Sequence, residues 1–297
     1  MIRIGQQWHV NHVVDDYRTV ADWYRTVFGA VDVFTDEWLE VEKRWASMVV
    51  VGDLAIDVME PTQAGADLPL GRFLKRFGPH LHAMAFFVDS PSVDVYDTLT
   101  AAGVRCFGLG GSGRDEMVAR PRGPVFTHPK DTAGQLEFMP FNADRPGPLG
   151  FPGRWGDPRY DPGWSLEPWR THPLAVEGWR IGVVVEDLDR ATNVYRALGG
   201  DIVADEISAA AHRRRIRLGT DTTVELVRPA SKDTVAARDL AANGEIIHAC
   251  VFETADLDAA ESHLIEHGVE IAERDGRRLI ADPSSCHGAV IEFAERV

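Results

Sequence analysis

Cysteine is scarce in this sequence, and the few residues present are scattered. The 297 residues include three cysteines, Cys106, Cys250 and Cys286, and no two of them form a CxxC pair. An odd, widely spaced set predicts neither a disulfide framework nor a thiolate zinc site. We therefore expect thiols packed in the core or in loops, and chemistry that depends on other side chains.

Long apolar stretches and an excess of positive charge are missing as well. No uninterrupted apolar run approaches the roughly 20 residues that span a bilayer, and the first seven residues are too polar for a signal peptide. A formal net charge of −15 disfavours nucleic-acid binding, because each phosphate contact needs a lysine or arginine. We therefore expect a cytoplasmic protein that binds a small-molecule substrate and neither a membrane nor a nucleic acid. A homodimer is possible.

What the sequence does contain is a fourfold repeat in a chain long enough for about two domains. Each copy has an apolar strand, a turn with an acidic residue, an amphipathic helix ending at a glycine, and strands closing on an acid. The four first strands carry His9, His82, Arg180 and His248. The helices end at Gly29, Gly103, Gly199 and Gly268, and the closing acids are Asp57, Glu137, Glu225 and Glu292.

The spacing of these landmarks supports the repeat. From first-strand position to glycine the four separations are 20 residues (9 to 29), 21 (82 to 103), 19 (180 to 199) and 20 (248 to 268). Glycine suits these helix ends because it tolerates positive φ. The pattern predicts an α+β protein of four βαβββ modules, paired into two tandem domains whose curled mixed sheets surround a cleft.

A segment rich in proline and tryptophan separates the second and third modules, at residues 142–178. Its prolines disfavour regular helix and sheet. Its tryptophans, among them Trp155, Trp164 and Trp169, predict that it packs on a domain. The expected organisation is an N-terminal domain over 1–141, this linker, and a C-terminal domain over 179–297.

The repeated positions of the N-terminal half carry metal-ligand chemistry. If two modules curl around one cleft, His9, Asp57, His82 and Glu137 converge inside it. Two imidazoles and two carboxylates suit a divalent first-row metal. Such a metal polarises a carbonyl or enolate oxygen while a nearby carboxylate moves a proton. Glu137 stands between apolar neighbours, where an acid is costly unless it is paired or metal-bound.

The same positions in the C-terminal half hold Arg180, Glu225, His248 and Glu292. Arginine cannot ligate a metal, so we expect Arg180 to pair with Glu225 or Glu292 and this half to be metal-free. His248 and Glu292 are interpreted as remnants of the duplicated pattern or as residues of a second pocket. Whether that pocket has a function stays open.

Two features near the predicted centre have competing interpretations. His80 precedes His82 by two residues and would share its face in a regular strand; the repeat spacing favours His82. The glycine-rich run GLGGSG, at residues 108–113, lacks the GKS or GKT ending of a phosphate-binding loop. We interpret that run as a mobile loop over the cleft.

These residues resemble the vicinal oxygen chelate superfamily, which includes glyoxalase I, methylmalonyl-CoA epimerase, extradiol dioxygenases and bleomycin resistance proteins. The most typical stretch is VVEDLDRA at 184–191, followed by FFVD at 86–89 and GQLEF at 134–138. The resemblance places the family's metal ligands on His9, His82 and Glu137. A fourth, usually glutamate in glyoxalase and epimerase members, falls on Asp57, whose side chain is one methylene shorter. Two-domain extradiol dioxygenases usually keep their metal in the C-terminal domain, unlike the pattern here.

The resemblance and the ligand set together favour a metal-dependent lyase or isomerase of glyoxalase or epimerase type. It would act on a small carbonyl substrate through a metal-bound enediolate, with Glu137 or Asp57 shuttling the proton. The implied cofactor is one divalent ion: zinc, nickel, cobalt, manganese or ferrous iron. Two alternatives stay open: an Fe(II) extradiol-type ring-cleaving dioxygenase using His9, His82 and Glu137, and a non-catalytic small-molecule binding or resistance protein.

Overall fold

The structure is a computed structural model that describes residues 2–140 and 158–296. Within these ranges the chain forms two eight-stranded sheets with helices packed against them. None of the helices described is both long and apolar enough to cross a membrane. Residues 141–157, including Trp155, lie outside the described residues, so the packing predicted for that tryptophan is not addressed.

The N-terminal sheet has the strand order β2-β3-β4-β1-β5-β8-β7-β6. Its strands are β1 (Ile4–Val13), β2 (Val31–Leu39), β3 (Arg44–Val51), β4 (Leu54–Pro61), β5 (His80–Val88), β6 (Cys106–Gly108), β7 (Val125–Thr127) and β8 (Gln135–Pro140). The helices of this half are α1 (Tyr17–Phe28), α2 (Pro69–Phe77), α3 (Ser92–Ala101), α4 (Arg114–Ala119) and α5 (Pro129–Thr132).

The C-terminal sheet repeats that order as β10-β11-β12-β9-β13-β16-β15-β14. Its strands are β9 (Val176–Val184), β10 (Asp201–Ile207), β11 (Ala211–Leu218), β12 (Thr222–Pro229), β13 (Ile246–Thr254), β14 (Ile271–Arg274), β15 (Arg278–Ala281) and β16 (Val290–Glu295). The helices are α6 (Glu167–Arg170), α7 (Leu188–Ala197), α8 (Val235–Asn243) and α9 (Leu257–Glu266). The predicted α+β class with four modules paired into two tandem domains is confirmed.

Local signals set the ends of the repeated helices. Asp16, which belongs to the predicted acidic turn, caps α1 by accepting hydrogen bonds from the Arg18 and Thr19 amides. Gly29 ends the same helix with φ at 61°, the left-handed conformation expected of a C-terminal glycine. The glycines that follow the other three repeated helices also have positive φ: Gly103, Gly199 and Gly268.

The predicted linker contains more regular structure than its prolines suggested. Helix α6 and the first residues of β9 both lie inside 142–178, so the expectation of no regular structure there is wrong. Pro168 is tolerated because it lies in the first turn of α6, where its missing N–H has no partner to lose. Trp169 is buried and packs against Trp164 with ring centroids 5.1 Å apart, as a packed segment predicts.

The two halves contact each other, chiefly along β5 and β13. One apolar cluster includes Val13 and Phe73 from the N-terminal half and Val184 and Ala236 from the C-terminal half. Gly288 has a positive φ, and a Cβ there would overlap the Pro79 carbonyl oxygen. Close approach of the halves at this point therefore requires glycine.

Candidate functional site

A cavity of about 270 Å³ lies against the N-terminal sheet. The four predicted side chains all line it, one from each of the central strands β1, β4, β5 and β8: His9, Asp57, His82 and Glu137. Strand pairing accounts for this, because His9 lies opposite Ala85 and Ala85 lies opposite Glu137. Asp57 reaches the same region through its pairing with Asn11.

His9 and Glu137 approach each other closely inside this cavity. Nε2 of His9 is 3.5 Å from Oε2 of Glu137, and both side chains are buried. Burial lowers the pKa of His9 to about 4. Burial also raises the pKa of Glu137 to about 7, although the Arg44 guanidinium opposes that shift. At neutral pH the imidazole is therefore uncharged, the form that ligates metals, and the carboxyl can both accept and donate a proton.

His82 reaches the cavity from a bulge in β5. Strand β1 advances two residues from Val10 to His12, while β5 advances three between their partners, Met84 and Leu81. An extra residue of this kind breaks the alternation of side chains along a strand. The expectation that His80 and His82 share one face therefore fails.

The surroundings of the two histidines differ accordingly. His82 packs edge-to-face on Phe73 of α2, with ring centroids 4.4 Å apart. Burial lowers the pKa of His82 to about 4. His80 is instead buried against Asp239 of α8, with Nε2 3.2 Å from Oδ1. The choice of His82 as the cavity residue agrees with these contacts.

Asp57 has a cationic neighbour that sequence reasoning missed. Nη2 of Arg44 lies 3.7 Å from Oδ2 of Asp57, and Nε of Arg44 donates to Glu42 at 2.7 Å. Burial raises the pKa of Asp57, while Arg44 opposes the shift. Strand alternation could have found Arg44, because it shares a face of β3 with Met48, which lies opposite Asp57.

The donor atoms of His9, His82, Glu137 and Asp57 are of the kinds that bind divalent metals. Their positions, however, do not yet form a metal-binding arrangement. Three buried polar atoms of the set lack a hydrogen-bond partner among the described residues: Nδ1 of His9, Nδ1 of His82 and Oδ1 of Asp57. Within 2–140 and 158–296, however, no three His, Cys, Asp or Glu side chains are placed to hold one ion as they stand. Metal binding by His9, His82 and Glu137 would therefore require side-chain adjustment.

The equivalent positions of the C-terminal half are occupied by a buried ion-pair network. Nε of Arg180 donates to Oε1 of Glu225 at 3.0 Å, so Glu225 is the one of its two predicted partners that it contacts. Arg278 donates to both Glu225 and Glu292. Burial disfavours the ionised form of Glu225, but Arg180, Arg278 and Arg213 outweigh it and lower its pKa. Arginines thus neutralise both carboxylates.

His248 lies apart from that network. Its Nδ1 is 2.5 Å from Oδ2 of Asp239, the carboxylate that also contacts His80. Sequence reasoning did not single out Asp239, because nothing in the sequence marks the two imidazoles, 159 and nine residues away, as its partners.

The glycine-rich run occupies the position expected of a loop at the cleft. Gly108, Gly110 and Gly111 line the cavity, together with Phe107 and Phe126. The mobility of this loop stays a prediction.

Comparison with solved structures identifies the fold. A triple mutant of 4-hydroxymandelate synthase from Streptomyces coelicolor matches with a TM-score of 0.64 and 15% identity, over 99% of this chain and 93% of that one. Methylmalonyl-CoA epimerase from Mycobacterium tuberculosis is 26% identical over 43% of this chain and 91% of its own, with a TM-score of 0.38. A methylmalonyl-CoA epimerase bound to methylmalonyl-CoA and NH4+ is 26% identical over 41% of this chain and 95% of its own, at a TM-score of 0.37. No family model and no curated protein matches the sequence.

The match over the whole chain shows that this chain has the two-domain fold of the 4-hydroxymandelate synthase structure. The resemblance drawn from the sequence is thereby confirmed at the level of the fold. At 15% identity the likeness does not extend to the reaction.

Proposed function

We propose that the protein is a metal-dependent enzyme that moves a proton on a small carbonyl substrate, as lyases and isomerases of glyoxalase or epimerase type do. The observation that carries this proposal is the shared cavity of His9, His82 and Glu137. It combines two uncharged imidazoles with a carboxyl whose pKa is about 7. Neutral nitrogen donors beside a proton-carrying acid suit this chemistry.

Each cavity residue has a role in the proposal. His9, His82 and Glu137 would hold one divalent ion, zinc, nickel, cobalt, manganese or ferrous iron, with Asp57 as a further oxygen donor or proton carrier. When bound, such an ion supplies Lewis-acid polarisation of a carbonyl oxygen. Glu137 takes the proton from the carbon next to the carbonyl and returns it, because a carboxylate held beside the reacting carbon can act in turn as general base and general acid.

The remaining lining adapts the cavity to a small substrate. Its volume of about 270 Å³ lies at the small end of ligand pockets. Phe34, Leu39 and Met48 contribute apolar surface that excludes water from the reacting atoms. Arg44 adds a permanent positive charge that can orient a second oxygen of the substrate.

Isotope exchange tests the proposal directly. Protein loaded with each candidate metal is incubated in D2O with hydroxyacetone and with simple acyl thioesters, and deuterium next to the carbonyl is measured by mass spectrometry. Metal-dependent exchange is expected for the wild type and for E295Q, which alters an exposed glutamate of β16. E137Q is expected to lose it. Absence of exchange with every metal would contradict the proposal.

A second candidate is an Fe(II) ring-cleaving dioxygenase of extradiol type. The Arg44–Asp57 contact favours it, because a neutralised Asp57 leaves two histidines and one carboxylate, the ligand set of many non-haem iron oxygenases. Oxygen uptake with catechol after anaerobic iron loading, retained in D57N and lost in E137Q, would support this candidate. Unchanged affinity for a cavity ligand in metal-free protein, without turnover, would instead indicate a binding protein.

A further inference from the structure

A buried carboxylate from the C-terminal half lies between two imidazoles at the contact between the halves. Oδ1 of Asp239 is 3.2 Å from Nε2 of His80, which belongs to the N-terminal half. Oδ2 is 2.5 Å from Nδ1 of His248, and the Asn243 amide donates to Oδ1 at 2.7 Å. All three ionisable side chains are buried, so their mutual orientation is fixed by these contacts.

His80 connects this carboxylate to the backbone that precedes His82. The second ring nitrogen of His80, Nδ1, lies 2.8 Å from the Leu81 carbonyl oxygen. The bulge of β5 falls between Leu81 and Met84, so the direction of His82 depends on this local backbone and not on regular strand geometry.

His82 lacks the anchor that a ligating histidine usually has. Such a residue generally donates its other ring N–H to a carboxylate or carbonyl, which fixes the orientation of the ring. In the part of the chain that the structure describes, Nδ1 of His82 has no such partner, and Phe73 supplies only packing. The orientation of this ring therefore depends on its packing against Phe73 and on the backbone of β5.

We propose that Asp239 is a positioning residue for the N-terminal cavity. It holds His80, and His80 holds the bulge that directs His82 toward the cavity. The C-terminal half would then contribute to the site without binding a metal itself. The inference rests on the proposed function to the extent that His82 is taken as a metal ligand.

The two imidazoles on Asp239 offer a matched pair of variants. H80A and H248A each remove one buried ring from the same carboxylate, but only H80A breaks the connection to β5. In metal-free protein, the imidazole nitrogen NMR signals of His82, assigned by their loss in H82A, should shift in H80A and D239A and stay in place in H248A. Cobalt affinity should fall about tenfold in H80A and D239A, the lower end of the range for partners of ligating histidines.

The outcomes separate this inference from the proposed function. If the NMR signals of His82 do not shift in H80A and D239A, the positioning role is wrong. It is also wrong if H248A loses as much cobalt affinity as H80A does. If wild-type protein binds no cobalt while the His82 signals shift as expected, the positioning role stands and the metal-dependent function fails. If D239A does not fold, the comparison of H80A with H248A still tests whether the contact between Asp239 and His80 positions His82.

Discussion

Nε2 of His9 lies 3.5 Å from Oε2 of Glu137, although the two residues belong to different modules of the repeat. Only Ala85 of β5 separates them across the sheet, because it pairs with His9 on one side and with Glu137 on the other. Joining two modules through β1 and β5 thus places a base and an acid side by side. Both side chains are buried, and burial favours the uncharged form of each. The pKa of His9 is therefore lowered and the pKa of Glu137 is raised.

The shifted pKa of Glu137 should make the metal-free protein less stable in alkali. Its pKa in the folded chain, about 7, exceeds the usual 4.5, so its contribution is fully present below pH 4.5 and is lost as the pH rises through 7. The shift corresponds to about 3 kcal/mol. E137Q should remove this loss, which urea unfolding between pH 4 and pH 8.5 would measure.

The unfolding experiment needs both the wild type and E137Q, because other buried groups also make stability depend on pH. His9 and His82 have lowered pKa values, so their contributions increase as the pH rises from about 4 to 6.5, opposite in sign to Glu137. Subtracting the E137Q profile from that of the wild type isolates the glutamate. A difference that does not change with pH would show that Glu137 has the same pKa in the folded and the unfolded chain.

Metal binding should release a proton from Glu137 in a pH-dependent way. The histidines are already neutral at pH 6, whereas Glu137 is mostly protonated there. Binding of one ion should therefore release about one proton at pH 6 and almost none at pH 8, because ligands must be deprotonated. Calorimetry of zinc binding in buffers of different ionisation enthalpy measures the release. Equal release from E137Q at pH 6 would assign the proton to another group.

Arg44 should be required for stability because it pairs with the buried Asp57 and the partly buried Glu42. Its guanidinium contacts Glu42 and Asp57, and it lies in the cavity wall. R44M leaves the buried Asp57 carboxylate without its counter-charge, and breaking a buried pair in this way costs about 3 kcal/mol or more. D57N should recover part of the loss in the double variant. R105M, which breaks the exposed pair with Asp131, is the control for urea unfolding and should lose far less.

Much of the fold could be predicted because its signals are local. Asp16 and Gly29 mark the ends of α1 through hydrogen bonds within a few residues. Asp187 and Asp256 cap α7 and α9 in the same way, whereas α3 follows Pro91 without a side-chain cap.

The contacts that shape the site depend instead on the assembled sheets. The bulge that contains His82 has no sequence mark, and Asp239 acquires its partners only when β5 and β13 come together. The alternation of residues along a strand predicts which face of the sheet a side chain occupies. It does not show where a bulge interrupts that alternation.

Replacing Arg180 with histidine should not create a second metal site. The R180H substitution gives the C-terminal half two histidines and two carboxylates at the repeated positions, as in the N-terminal half. Yet Arg278 and Arg213 still neutralise Glu225, and Arg278 still donates to Glu292. Carboxylates held by arginines are poor ligands, because a metal must displace permanent cations.

Metal analysis after dialysis against zinc should give the same stoichiometry for R180H as for the wild type, and E137A serves as the control that lowers it. A gain of one ion per chain in R180H would show that the arginine at position 180 alone keeps the C-terminal half free of metal.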